Sequence, residues 1–177
     1  MKEWSAVIAA LLAGRQRILL RKGGIGEKRF DVAAQHFLLF PTLMHSHAER
    51  IRLEHRDLIA PAATDCTAEQ VVVRASARIH AAFPVARPDA LDDIADLHIW
   101  TPDSVLDRLD FRPKHRLTAL VVQVSALSVS VRLPRRSDYA GCSSWVSLPV
   151  SDPELEAPVF TQRQLESTTA RVRAALG

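Results

Sequence analysis

A chain of 177 residues, 47% hydrophobic and 24% charged, has the composition of a soluble globular domain, which excludes a disordered, collagenous or coiled-coil protein. Its 23 Lys and Arg against 20 Asp and Glu leave a net charge of +3, which suits a nucleic-acid or phosphate partner without requiring one. No window approaches the ~20 apolar residues of a membrane span, the opening residues show no cleavage signal, and Cys66 and Cys142 make no disulfide framework, so a reduced cytoplasmic protein with no membrane contact is expected.

Residues 4–13 predict the first helix, with Trp4, Val7, Ile8, Leu11 and Leu12 on one stripe and Gly14 at the C-terminal cap. The run from Gln16 to Lys22 is too short for another helix and predicts a strand, ended by Gly23, Gly24 and Gly26. A second strand is expected over His36–Phe40, stopped by Pro41. Thr42 can then cap a helix carrying Leu43, Met44, Ala48 and Ile51.

The stretch 71–85 carries two signals. Thr67 and Gln70 have the spacing of a capping box, but the strict alternation of Val71, Val73, Ala75, Ala77 and Ile79 with polar neighbours favours a strand. Pro88–Leu97 reads as a short acidic helix. The next helix opens with Thr101 at the N-cap, Pro102 at N1, Asp103 on the dipole and Trp100 stapling to Val105.

Leu117–Leu133 has no helical stripe and predicts two strands with a bend near 125–128. Tyr139–Leu148 reads as a turn and a short strand, and Pro149–Pro158 as a linker. The last helix starts with a capping box of Thr161 and Gln164, but its apolar face is thin, which predicts a peripheral element. The expected organisation is one α+β domain over 1–148 and a linker with a C-terminal helix over 149–177.

Chemistry is suggested most strongly by Arg21-Lys22-Gly23-Gly24, two cations before two glycines at a strand end. Backbone N–H groups beside cations can hold a phosphate or carboxylate. The alternative is a glycine turn between solvated cations, and the segment lacks the Gly-Lys-Ser/Thr ending of a P-loop. A second basic cluster includes Lys114 and His115, with Arg135 and Arg136 further on. Tyr139 and Trp145 could stack a base beside them, or simply be buried.

His45, His47 and His55 have no metal-site spacing, so no metal or other cofactor is expected. Cys142 lies on a turn where neighbouring cations could activate it, although a small buried cysteine is the commoner case.

Lys2-Glu-Trp4, Gly14-Arg-Gln16, Ile18–Ile25, Phe37-Leu-Leu-Phe-Pro-Thr42, His98-Ile-Trp-Thr101, Arg112-Pro-Lys-His115 and the Tyr139–Trp145 segment together resemble a bacterial domain-of-unknown-function family, eighteen-oh-two in the usual naming. The family pattern has an acidic residue near Gln35 that this chain lacks. More distantly, a helix, Gly14 and a strand ending in Arg21 resemble the opening of ASCH and PUA-like domains.

That second resemblance implies a small mixed β-barrel with flanking helices, and an RNA- or nucleotide-binding cleft lined by Arg21. Some ASCH members resemble amidohydrolases with a catalytic Lys. Gln16 stands in that place here and cannot exchange a proton, which argues against that activity. The expected site is then Arg21, Lys22, Gly23 and Gly24 on phosphate, Lys114 and His115 at the rim, and Tyr139 or Trp145 under a base. Two alternatives are a small hydrolase-like enzyme using Cys142 or His45, and an accessory module docking through its C-terminal helix.

Overall fold

The computed structural model describes residues 1–22, 34–43, 47–111, 117–141 and 143–177. Strand β1 (Lys2–Trp4) leads directly into α1 (Ser5–Leu12), followed by β2 (Ile18–Arg21) and β3 (His36–Thr42). The short helices α2 (His47–Arg50) and α3 (Ile59–Ala63) flank a 3-10 turn at Leu53–Leu58. Next come β4 (Gln70–Pro84), a 3-10 segment at Pro88–Leu97 and α4 (Pro102–Asp110). The chain closes with β5 (Thr118–Pro134), a 3-10 turn at Ser137–Tyr139, β6 (Leu155–Pro158) and α5 (Gln162–Leu176).

The fold is α+β, built on one six-stranded sheet in the order β1-β3-β4-β5-β2, with β6 also paired to β5. Only β1 and β3 run parallel. The expected barrel is not seen, because among the described residues the sheet is open and β1 and β2 are its edges. The edges nonetheless approach each other, since Arg21 on β2 donates to the Lys2 carbonyl on β1 at 3.3 Å.

Helix α1 fills the space the sheet leaves. Ser5, Ala6, Val7, Ile8, Ala10 and Leu11 are all buried, so a helix whose sequence suggested one apolar stripe is enclosed on nearly every side. Its alanines let neighbouring elements approach closely. Gly14 ends it at φ 71°, a left-handed conformation that a side chain would strain. The main core joins α1 to Ile18, Leu39, Ile94, Leu120 and Leu165. A smaller core gathers Phe40, Val71, Val73, Leu127, Leu133 and Tyr139.

Several expectations are corrected. Pro41 does not stop β3, because only residues 36–39 pair with β4, and Pro41 lies beyond them opposite Glu3 of β1, where no second ladder needs its N–H. The helix expected after Thr42 shrinks to α2, and Ile51 instead makes a bridge to Trp100. Pro88–Leu97 is 3-10 and broken at Ile94.

The two strands expected in 117–133 are one, β5. Its bend becomes a register irregularity, the partner of β4 jumping from Val131 to Ala126. No strand forms over 143–148, and part of the expected linker is β6, paired to Ser125 and Leu127. Thr67 does accept the Gln70 N–H at 3.1 Å, but a strand follows, as the alternation predicted.

Helix α5 is not peripheral. Its capping box is present, and Leu165, Val172 and Leu176 are fully buried in the main core. Arg171 ties it to Asp96 at 2.5 Å, and Arg87 donates to its last turn at the Ala174 carbonyl. Among the described residues no helix is long and apolar enough to cross a membrane.

Candidate functional site

Strand β1 has only three residues, yet each one holds a separate part of the candidate site. Lys2 tethers the 140–144 segment, its N–H donating to the Ser144 carbonyl at 2.9 Å. Its Nζ donates to the Ala140 and Gly141 carbonyls at 3.2 and 3.0 Å. Glu3 is buried and pairs with Arg21 at 3.2 Å, while its other oxygen accepts the Trp4 N–H at 2.9 Å. Trp4 meets Trp100 edge to face at 4.7 Å.

Arg108 closes this arrangement from α4. Its guanidinium lies 4.0 Å from the Trp100 ring centroid and 6.0 Å from that of Trp4. A cation over indole is stabilised by the ring quadrupole, which suits a guanidinium largely removed from water. Burial, reinforced by Arg21 and Arg50 and opposed by Glu3, lowers its pKa to about 10, so it stays charged at neutral pH. One carboxylate thus serves two inward-turned arginines.

Lys22 also turns inward. Its Nζ donates to the Arg108 and Leu109 carbonyls at 2.9 and 2.7 Å, placing a cation on the C-terminal turn of α4. Burial lowers its pKa, with Asp110 opposing. The end of β2 and the end of α4 are therefore fixed together. Residues 22 and 111, which adjoin the two basic segments singled out in the sequence, belong to the same corner of the fold. Gly23, Gly24, Lys114 and His115 themselves lie outside the described residues, as do Cys142 and His45.

Tyr139 and Trp145 line one groove, with a volume of about 550 Å3, together with Lys2, Arg136, Asp138 and Leu148. Trp145 is half-buried and meets Phe37 edge to face at 5.1 Å. Tyr139 is buried against Phe40 at 5.2 Å. Arg136 pairs with Asp138 at 3.0 Å with both side chains exposed, a contact that solvent screens and a ligand can displace at little cost. Sequence reasoning missed Glu3 and Arg108. Glu3 stands in the Lys2-Glu-Trp4 motif without a role read from it, Arg108 stands in none, and their approach depends on that of the sheet edges.

A second cleft, of about 210 Å3, lies between the 3-10 segment and α4 and is lined by Arg52, His98 and Trp100. The 50–52 segment reaches it by running beside 99–101, Arg52 N–H donating to the Ile99 carbonyl at 3.0 Å and Thr101 N–H to that of Arg50 at 3.0 Å. Among the described residues no three His, Cys, Asp or Glu side chains gather as a metal site.

No curated protein and no solved structure matches this chain. A family model does match, over residues 1–171, spanning β1, both clefts and most of α5. The chain therefore belongs to the family described as Domain of unknown function (DUF1802).

Proposed function

We propose that this protein binds single-stranded RNA or a nucleotide in the groove between β1 and the 139–148 segment. One observation carries the reading: Trp145, half-buried and one of the two alternative aromatics for stacking a base, lines a groove with Lys2, Arg136 and the buried Tyr139. An aromatic face beside cations is what a base joined to a phosphate requires, because stacking and charge neutralisation then act on adjacent atoms. Arg136 meets the phosphate by exchanging its exposed pair with Asp138.

Arg21 and Lys22, expected on phosphate, bond inward and are not among the groove's lining, so their part in this reading is indirect. They fix β1 and α4, and so the strand that holds the groove, through Glu3 and the α4 carbonyls. Gly23, Gly24, Lys114 and His115, the other residues expected at this site, lie outside the described residues. The resemblance to ASCH and PUA-like domains favours the same class of partner, although the sheet here is open.

The test is fluorescence anisotropy with a labelled ten-residue oligouridylate at 50 and 200 mM salt. Affinity should fall steeply with salt, by about 0.7 logarithmic units per decade for each phosphate contact, and Arg136→Ala should remove about one contact. Trp145→Ala should weaken binding by about five- to a hundredfold, the worth of one stacked base. Absent or salt-independent binding, or binding indifferent to Trp145→Ala, overturns the proposal.

A further inference from the structure

The His98-Ile-Trp-Thr101 motif plays no part in the groove, and the second cleft supplies a reason for its histidine. His98 is only 2% exposed, between Leu97 and Ile99 in an apolar run. Its Nδ1 accepts the Trp100 backbone N–H at 3.3 Å. Nδ1 is thereby the unprotonated nitrogen, and the ring proton of the neutral imidazole sits on Nε2. Nε2 is buried and has no hydrogen-bond partner. A buried N–H donor left unmatched costs about 1–3 kcal/mol, so folded proteins seldom leave one without a purpose.

Arg52 stands in the same cleft in a related condition. Its Nη2 holds the Ala95 and His98 carbonyls, capping the 3-10 segment. Its Nε makes no hydrogen bond; among the described residues its one ion pair is with Glu54, 3.4 Å from that Nε and largely in water, and Asp96 acts on it only at longer range. The charge of Arg52 is therefore poorly neutralised beside a free N–H donor. Burial holds His98 neutral, with Arg52 and Arg108 acting in the same direction against the weaker opposing pull of Asp96. Around these two polar groups the walls are apolar, with Leu91, Trp100 and Val105 among them.

We propose that this cleft binds a small organic carboxylate of single negative charge, one oxygen accepting the His98 Nε2–H beside Arg52 and the hydrocarbon body lying against Leu91, Trp100 and Val105. The volume sets the size. A cleft of about 210 Å3 suits a ring or short chain with one carboxylate. The rim limits the charge, because exposed Asp89 and Asp92 also line the cleft and repel any anion, a dianion such as phosphate about twice as strongly as a monocarboxylate. The site is separate from the proposed nucleotide groove and stands or falls independently of it.

Sodium benzoate is the probe, followed by ligand-observed NMR and by the imidazole 15N and 1H signals of His98. Benzyl alcohol serves as the uncharged comparator and inorganic phosphate as the dianion. The expected result is saturable benzoate binding with a shifted Nε2–H signal, at least tenfold tighter than benzyl alcohol and with no effect of phosphate. His98→Asn keeps an acceptor for the Trp100 N–H but withdraws the donor from the Nε2 position, its amide NH2 being one bond shorter, and should weaken benzoate at least tenfold.

If that variant fails to fold, Leu106→Trp, at an exposed position on the cleft wall, should block benzoate without touching the donor. The proposal is overturned if benzoate leaves the His98 signals unmoved, if benzyl alcohol binds equally well, if a bound water keeps Nε2–H in the presence of benzoate, or if neither variant weakens binding.

Discussion

The protein contains two clusters of inward-turned basic side chains, and they are settled in opposite ways. Around β1, Arg21 has Glu3, Arg108 has the faces of Trp100 and Trp4, and Lys22 has the carbonyls at the end of α4. Around the second cleft, Arg52 has backbone carbonyls and an exposed carboxylate, and His98 has a buried donor with nothing to meet it. Buried charge is tolerated where it is paired and hydrogen-bonded, and each cation of the first cluster has such a partner in the protein. The second has capacity left over. A cluster of charges marks a binding site by what it leaves unmatched, not by the number of its cations.

Three perturbations sharpen that contrast. The largest is deletion of residues 159–177. Helix α5 buries Leu165, Val172 and Leu176 and grips the 3-10 segment that forms one wall of the second cleft. At about 1.5–3 kcal/mol for each buried side chain, the loss approaches the whole stability of a domain. Urea titration should show a truncated chain without a cooperative transition. A cooperative transition near the wild-type midpoint would mean that α5 is dispensable to both clusters.

Next is Glu3→Gln, which leaves Arg21 and Arg108 without their shared carboxylate. Breaking a buried pair in this way costs about 3–5 kcal/mol, against the few tenths expected at an exposed pair such as Arg136–Asp138. Chemical denaturation of both variants tests the difference. A loss below about 1 kcal/mol for Glu3→Gln would show that the β1 cluster is not held by its ion pair.

The third is the pH dependence that His98 adds at the second cluster, beyond that of the Met1 amine beside Arg21, whose pKa burial lowers from 8.0 to about 5. Burial first, then Arg52, Arg108 and the weaker His55, lower the His98 pKa from 6.5 to about 3, while Asp96 opposes them. The folded value lies below the unfolded one, so the unfolded chain takes the proton first as the pH falls. The contribution is fully present above about pH 6.5 and declines toward pH 3, by up to ~1.4 kcal/mol per pH unit. Denaturation midpoints between pH 7 and 4 should fall less in His98→Asn than in wild type. Parallel slopes would remove His98 as the source.

Local grammar made much of the fold legible. Thr101 with Pro102, and Thr161 with Gln164, announce α4 and α5, and both threonines accept the expected N–H groups. The alternation from Val71 onward announces β4. The failures share one cause. Pro41, the bend in β5 and the supposed linker at 149–158 each took their final state from a partner strand remote in sequence, namely β1, β4 and β5.

The same cause governs the sites. Tyr139 and Trp145 were recognisable as aromatics, but that they share a groove depends on Lys2 holding the 140–144 segment. His98 read as part of a motif and nothing more. The available signal was a polar ring set between Leu97 and Ile99, which only becomes a question once its donor is found without a partner.

The tether between Lys2 and Ser144 has a further consequence, in time. Strand β1 is made first, but its carbonyl partners at 140–144 are made more than a hundred residues later. At ribosomal rates of about 5–20 residues per second, its ladder with β3 can form roughly 5–20 seconds before that second set of contacts exists. During synthesis the groove is therefore completed well after the ladder between β1 and β3 can form.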